Sequence, residues 1–577
     1  GTMDGDITSN ANGGTASADG GDTRDVYAYG KADAYGMNRL EGDMTATASI
    51  DATAIGGEAT ATTSRDDDNG DAAYASTHTD AYGIEYGIGT LDSILEGIDP
   101  LLSQISGEIT ATATAGISIA DAYGYGDADA QAHAYGVHTH DSIVADFTSD
   151  FVSTSTAQGG EATADGGSSA EADADAEAGA LMHSNYFEGD FGGTVTATAT
   201  GGTAEAKIYE ESDNAYAEAD AGAYGIGMGD DDDDDDDDSV TGDFTADVTA
   251  TATAGAAYAS GANYTDSYAT ARTAGIDSAG SFTGEFGGSV DAKSYGGTAD
   301  SVDGNYSDAD AGANAYGLDF SGSGADLTGN VSSNITLLAE AGALAEVIPD
   351  DAIEAIDADD DADASASGSD EAYADANTRV AAVSDVDDFT GDFSSTVNAT
   401  STAGSADADA YAEAYAGANA EAYGVEFYDA KDVWFDEEDA WFDEDIFENV
   451  FTGNFTADAD VTLTATGGLA TASSGDDDDD DDDDHAGAEA NAFAGVMVDL
   501  ERYVGNFDGT ATVLATGGDA TAYGRDNASA EAYAEAVGIS IDYSDDDDDD
   551  DDDDVVVGDF TGSLTLDAIG GDAYAVN

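Results

Sequence analysis

One unit, written again and again, limits what this chain can fold into. Gly189 to Gly225 reads GDFGGTVTATATGGTAEAKIYEESDNAYAEADAGAYG, and weaker copies of it fill the rest of the 577 residues. The unit opens on an acidic aromatic step, Gly189, Asp190 and Phe191, and runs into a strict Thr/Ala alternation. A glycine pair (Gly201, Gly202), a second alternating run, an acidic turn and a third run ending on Ala223, Tyr224 and Gly225 complete it. Repeats of this length signal stacked architectures, in which no single unit can bury its own apolar face.

The opening step serves as a marker: Gly, then an acid or Asn, then a large apolar residue. Its apolar member recurs at Ile7, Met44, Ile109, Phe151, Phe191, Phe244, Phe286, Val331, Phe393, Phe455, Phe507 and Phe560, with Ser149 replacing the glycine before Phe151. That makes twelve units in one continuous array over residues 1–577, spaced by 37, 65, 42, 40, 53, 42, 45, 62, 62, 52 and 53 residues. Aspartate runs interrupt three of the longer units: Asp230–Asp238, Asp476–Asp484 and Asp545–Asp554. Without them those units measure 44, 43 and 43 residues, and the unit after Phe393 measures 42 without the acidic aromatic insert 431–450. Further inserts at 90–106 and 337–358 lengthen the units after Met44 and Val331. The module is therefore about 42 residues long, decorated at its turns.

Within a module the period is two. Thr194–Thr200 reads TVTATAT, a β-branched residue alternating with a small one, which suits a pleated strand with one thin face. Glycine pairs recur at Gly13–Gly14, Gly56–Gly57, Gly159–Gly160, Gly296–Gly297, Gly467–Gly468, Gly517–Gly518 and Gly570–Gly571, and are expected to supply positive φ at a tight corner. The step Ala-Tyr-Gly closes a run at Tyr35, Tyr82, Tyr123, Tyr135, Tyr224, Tyr316, Tyr423 and Tyr523. A core of Ala, Thr and Val with one Phe and one Tyr per module is too thin for a globular domain. Stacked coils, each covering the next, can bury it. The predicted fold is an all-β parallel β-solenoid with Phe and Tyr ladders, each module forming one wide coil or two coils of about 21 residues. Tandem small β-sandwiches are the alternative, for which the modules are short. Two inserts read as helices: Leu91, Ile94, Leu95, Ile98, Leu101, Leu102 and Ile105 in the first, and Leu337, Leu338, Leu344, Val347 and Ile348 in the second. Each holds one of the two prolines, Pro100 or Pro349, which should kink or end it.

Charge decides the setting. Eleven Lys and Arg face 126 Asp and Glu, a net charge of −115. Self-repulsion on that scale opposes compaction, so a folded form needs bound divalent cations or concentrated salt. Nucleic acid is excluded as a partner, because the chain lacks a Lys/Arg footprint for phosphate. No stretch has the roughly 18 consecutive apolar residues of a membrane span, and no membrane insertion is expected. The N-terminal GTMDGDIT shows no basic and apolar leader, so a signal peptide is read as removed or never present. A disordered polyanion is the competing state. Against it stand 29 Tyr, 19 Phe, only two Pro and end-to-end alternation. Cysteine is absent, which excludes disulfides and thiol chemistry.

The aspartate runs are the clearest candidate cation sites. Carboxylate oxygens suit Ca²⁺, and alternate residues of each run are the expected ligands: Asp230, Asp232, Asp234, Asp236 and Asp238; Asp476, Asp478, Asp480, Asp482 and Asp484; Asp545, Asp547, Asp549, Asp551 and Asp553. Diffuse cation condensation on a solvated loop is the plainer reading. Insert 431–450 repeats Trp434-Phe435-Asp436-Glu437 as Trp441-Phe442-Asp443-Glu444, either a cap over the solenoid or a carbohydrate-contacting patch. Of the six histidines, His138 and His140 share one strand face and could hold a transition metal, though no third ligand is spaced for it. No nucleophile elbow, HExxH or phosphate loop is present, and the chain is read as a non-enzyme. Asn-x-Ser/Thr triplets at Asn263, Asn305, Asn330, Asn334, Asn398, Asn454 and Asn527 matter only in a glycosylating cell.

Phe-Thr-Gly-Asp-Phe at 389–393, TVTATATGG at 194–202 and the recurrent Ala-Tyr-Gly together resemble repeat arrays of large secreted prokaryotic surface proteins, including autotransporter passengers. The resemblance covers the chain at the level of composition and repeat. It implies an extracellular β-solenoid serving as a surface fibre or adhesin subunit, with glycans or other cells as partners. The extreme acidity is similar to that of proteins from salt-loving microbes. Neither end carries a polar cap, so head-to-tail self-association into a filament is expected, the alternative being that the chain is a fragment of a longer one. The alternative function is an acidic cation-binding or mineral-templating polyanion, and an ice-binding Thr face is a third, disfavoured because each TxT run is interrupted.

Overall fold

In the computed structural model the residues described are 2–576 except 21–24, 41–44, 64–71, 87–102, 140–141, 185, 209–213, 229–238, 262, 279, 321–324, 342–363, 428–448, 457, 475–484, 501, 525–526 and 542–557. The alternation TVTATAT becomes a strand, Thr194–Thr200, whose Val195, Ala197 and Ala199 point inward and are buried. Four more strands complete its coil: Tyr186–Glu188 before it, and Thr203–Ile208, Asn214–Glu218 and Ala221–Met228 after it. Every one pairs in parallel with its counterpart one module later: Tyr186 with Ser239, Thr194 with Asp247, Thr203 with Ala256, Asn214 with Tyr264 and Ala221 with Ala271.

Repeated along the chain, this pairing makes an all-β parallel solenoid. The Thr/Ala strands and the short strands before them form one wall of 19 strands, and the remaining strands of each coil form a second wall of 29. Twelve Thr/Ala strands stack in sequence order, from Thr2–Asn12 to Ser563–Ile569, so each module is one wide coil rather than two narrow ones. At about 4.8 Å per coil the stack is roughly 58 Å long. The core between the walls is mostly Ala, and small inward side chains let facing walls approach closely.

Large residues form a buried column just before the Thr/Ala strands. Phe191, Phe244 and Phe286 stack at 5.4 and 5.0 Å, and Phe393, Phe455, Phe507 and Phe560 at 5.0, 4.5 and 4.7 Å, with interplanar angles of 17° or less. Offset stacking at these separations adds about 0.5–1.5 kcal/mol per pair beyond burial. The column corrects the marker assignment in the early coils. Phe147, not Phe151, pairs with Phe191, and Ile105 pairs with Phe147. Ile7 and Ile109 instead share the column of Val195, four residues further on, while Phe151 packs edge-on against Phe147 at 4.9 Å.

Glycine has two separate tasks. None of the corner pairs, from Gly13–Gly14 and Gly201–Gly202 to Gly570–Gly571, has positive φ, contrary to the expectation. The second member is needed because coils nearly touch there: a Cβ on Gly202 would overlap the Gly160 carbonyl oxygen, and one on Gly255 that of Gly202. Positive φ belongs to the marker glycines, 143° at Gly189 and 139° at Gly242, where the chain turns into the Phe column.

The helices predicted for the inserts are corrected where they can be seen. Ile105 lies in the strand Ser103–Thr114, and Leu337 and Leu338 lie in Val331–Glu340 with alternating burial. Neighbouring coils offer these residues hydrogen-bond partners on both sides, which outweighs their helical spacing. Residues 91–102 and 342–358 lie outside the described residues, and no helix occurs among the described ones.

Candidate functional site

Proline-free alternation around Ala-Tyr-Gly gives the last strand of each coil an outer face whose residues fall into columns. Two residues before the tyrosine, one column runs Asp33, Asp80, His133, Glu177, Gly222, Arg272, Asn314, Arg379, Glu421. The tyrosine column beside it runs Tyr35, Tyr82, Tyr135, Gly179, Tyr224, Ala274, Tyr316, Ala381, Tyr423. From Tyr135 on, tyrosine alternates with Gly or Ala, so each ring has room to lie over its small neighbour. Tyr123 and Tyr523, grouped with them by sequence, fall outside this column and are exposed.

In the second and third coils the face gathers histidines. Asp80, 3% exposed at its side chain, lies with Oδ1 3.0 Å from His78 Nε2 and 3.1 Å from His133 Nδ1. Its Oδ2 is 3.4 Å from Lys31 Nζ in the first coil. Burial works against a charged Asp80, but hydrogen bonds from His133 and His78 outweigh it and hold the carboxyl well below the usual range. His78 Nδ1 lies 3.2 Å from Gln131 Oε1. His78, Asp80 and His133 are the group of three among the described residues whose ligand atoms are close enough, within 4.8 Å, to share one metal ion.

Beside this group, His138 stacks on Tyr82 at 4.4 Å with planes 6° apart, and lies 5.5 Å from Tyr135. His183 Nε2 is 3.1 Å from the Tyr135 hydroxyl, which donates to Glu177. His183 has φ 58°, in the left-handed region, at a register shift between Leu181 and Ser184. Asp385, φ 54°, occupies the equivalent bulge four coils later and accepts from Arg379 at 3.2 Å. The bulge therefore re-aims a polar side chain back onto the tyrosine face. Arg272 and Arg379 clamp coils together in the same way: Arg272 reaches Asp277 and, in the next coil, Asp319 at 2.7 Å, and Arg379 reaches Glu426 of its next coil at 2.7 Å. A cavity of about 330 Å³ opens beside Arg379, lined by Tyr316, Asn377, Asn419 and Glu421 among others.

The acidic strand carries in-register carboxylates. Asp129 pairs with Asp173 and Asp173 with Glu218, while Asp310 pairs with Asp375 further along. Burial, then repulsion from neighbouring acids, pushes Asp173 up to about 9 and Asp175 up to about 8. The same two causes raise Asp220 and Asp375 to about 7. These side chains hold protons near neutral pH.

At the corners a different ladder uses the same residue types. Asp190 Oδ1 accepts from the Asp243 backbone N–H at 3.1 Å, Asp392 from Asn454 at 2.9 Å, and Asn454 from Asn506 at 3.1 Å. Asn330 and Asn454, acceptors in glycosylation triplets, thus spend their side-chain oxygens on the next coil.

Sequence reasoning named the tyrosine ladder but none of the polar ones. It paired His138 with His140, whereas His138 packs against tyrosine and residue 140 lies outside the described residues. The signal was available: aligning Tyr82-Gly83 with Tyr135-Gly136 puts His133 beside Asp80 and Gln131 beside His78. All fifteen proposed Ca²⁺ ligands, in 230–238, 476–484 and 545–554, lie outside the described residues, as do Trp434 and Trp441. No helix among the described residues is long and apolar enough to cross a membrane. Comparison with protein-family models, curated proteins and solved structures finds no match.

Proposed function

We propose that the chain is the rod of an extracellular surface fibre or adhesin, held together against its own charge by divalent cations, Ca²⁺ first among them. The observation that carries this reading is the continuous parallel pairing of the Thr/Ala strands through all twelve coils. Such a stack resists extension along every ladder. A net charge of −115 opposes the stack, so the rod gains from cations that bridge neighbouring coils. The last coil shows an uncovered stacking surface, with Phe560, Leu566, Ile569 and Tyr574 about half exposed. Any coil laid on it, from a longer chain or a second copy, continues the ladders, and head-to-tail assembly is the proposed mode.

Thermal unfolding followed by circular dichroism, with electron microscopy of the same samples, tests this. A β-type spectrum whose Tm rises in millimolar Ca²⁺ and falls with chelator, together with rods lengthening on assembly, supports it. Many weak Ca²⁺ sites without cooperative unfolding would instead mark a disordered polyanion.

A further inference from the structure

The histidine pair of the second and third coils is built for a different ion from the one the carboxylates suit. We propose that His78, Asp80 and His133 form a transition-metal site, selective for Zn²⁺ or a similar imidazole-preferring divalent ion, that clips the second coil to the third.

Three observations carry it. The ligand set is mixed: two imidazoles and one carboxylate, where Ca²⁺ and Mg²⁺ take oxygen and Zn²⁺ takes nitrogen with oxygen. The spacing fits, because ligands about 2.0–2.1 Å from a tetrahedral ion stand roughly 3.3 Å from each other. The two N–O distances at Asp80 are 3.0 and 3.1 Å and all three ligand atoms lie within 4.8 Å of one another, so seating the ion takes a small outward shift at Asp80 and an approach of the two imidazoles.

The third observation concerns protons. His78 Nδ1 faces the Gln131 side-chain oxygen at 3.2 Å, and in the tautomer that donates to this oxygen Nε2 is left free to bind a metal. Nε2 then offers a lone pair, and it points at a carboxylate oxygen 3.0 Å away that offers another. A hydrogen on Nε2, or a metal ion in its place, satisfies both atoms. The metal also satisfies His133, whose Nδ1 converges on the same oxygen. Gln131 acts as the orienting partner that metal-bound histidines commonly have. Lys31 Nζ, 3.4 Å from Asp80 Oδ2, holds the second oxygen away and leaves Asp80 to ligate through one. Both imidazoles remain about a quarter exposed, which gives the ion an entry path and leaves water the fourth position.

Since His78 and Asp80 belong to one coil and His133 to the next, the ion would cross-link coils directly. This does not rest on the rod reading: the site requires only the local pairing of the two strands.

The test is Co²⁺ titration of the full chain at neutral pH in excess Ca²⁺, which occupies the carboxylate background, followed by displacement with Zn²⁺. Expected are the intense visible d–d bands of a low-coordinate Co²⁺ site, saturating at one equivalent and abolished by one equivalent of Zn²⁺. His133→Ala and the size-matched His133→Gln should each weaken Co²⁺ binding at least tenfold with an unchanged circular dichroism spectrum, while His485→Ala leaves it intact. Absence of the bands in the unmodified protein would overturn the proposal. So would bands that survive in a His78→Ala/His133→Ala double variant, which would place the ion on the acidic runs, or bands lost in His485→Ala.

Discussion

At the scale of single residues, two glycines of similar sequence setting do opposite things. Gly202 has an ordinary φ and is required only because a Cβ would overlap the Gly160 carbonyl oxygen of the coil beneath. Gly570, in the last coil, meets nothing nearer than the Ala532 oxygen at 3.5 Å. Gly202→Ala should therefore cost about 1–3 kcal/mol, as overpacking does. Gly570→Ala should be neutral or stabilising by about 0.4–1 kcal/mol through the unfolded state. Urea unfolding of the two variants checks the pair. Equal effects would show that conformational freedom, and not the close approach of coils, sets the glycine requirement. Sequence alone pointed to the conformational role, because a Gly-Gly corner looks the same whether glycine is demanded by φ or by a neighbouring backbone 42 to 53 residues away.

At the scale of elements, the ladders differ in what they contribute. The Phe column is the largest apolar feature of the thin core, and Phe244 stacks between Phe191 and Phe286. Phe244→Ala should cost about 3–5 kcal/mol, read as a lower midpoint in denaturant. The acid columns act the other way at neutral pH. Asp173, raised to about 9 in the fold by burial and by Asp175, loses its proton near 3.9 when unfolded. Between those values the folded chain binds more protons, so stability falls as pH rises through the window and is greatest at its acid end. Asp175, raised to about 8, and Asp220 and Asp375, raised to about 7, add to the same slope. In metal-free buffer of constant ionic strength, Tm should climb as pH is lowered from 8 to 5, and Asp173→Asn should flatten the climb. A Tm that drops over that range would contradict the assignment of these carboxyls as protonated partners. Periodicity made the strands themselves legible. It missed the column occupants in the early coils, because Phe147 follows Ala145-Asp146 without the marker glycine while Phe151 mimics the step. Only hydrogen-bond register distinguishes the two. The histidine group was hidden for a related reason, since its members come from two coils 53 residues apart.

At the scale of the whole molecule, the module length and the number of modules were readable because the inserts are compositionally distinct and subtract cleanly from a fixed period. Whether a module makes one coil or two was not readable, since both leave the same alternation and the same glycine corners. The structure answers with one coil per module, and that is the claim on which the ladders, the rod and the cross-coil metal site all depend. A direct test uses the lack of native cysteine, which makes paired spin labels free of background. Thr198 stacks through Thr251, Lys293, Leu338, Thr400, Thr464 and Leu514 to Asp567, one coil at each step. Double electron–electron resonance on Thr198→Cys/Thr464→Cys and Thr198→Cys/Asp567→Cys should give narrow distributions near 24 and 34 Å, at about 4.8 Å per module. Distances near twice those values would mean two coils per module, and broad distributions would mean no solenoid at all; either result would contradict the account.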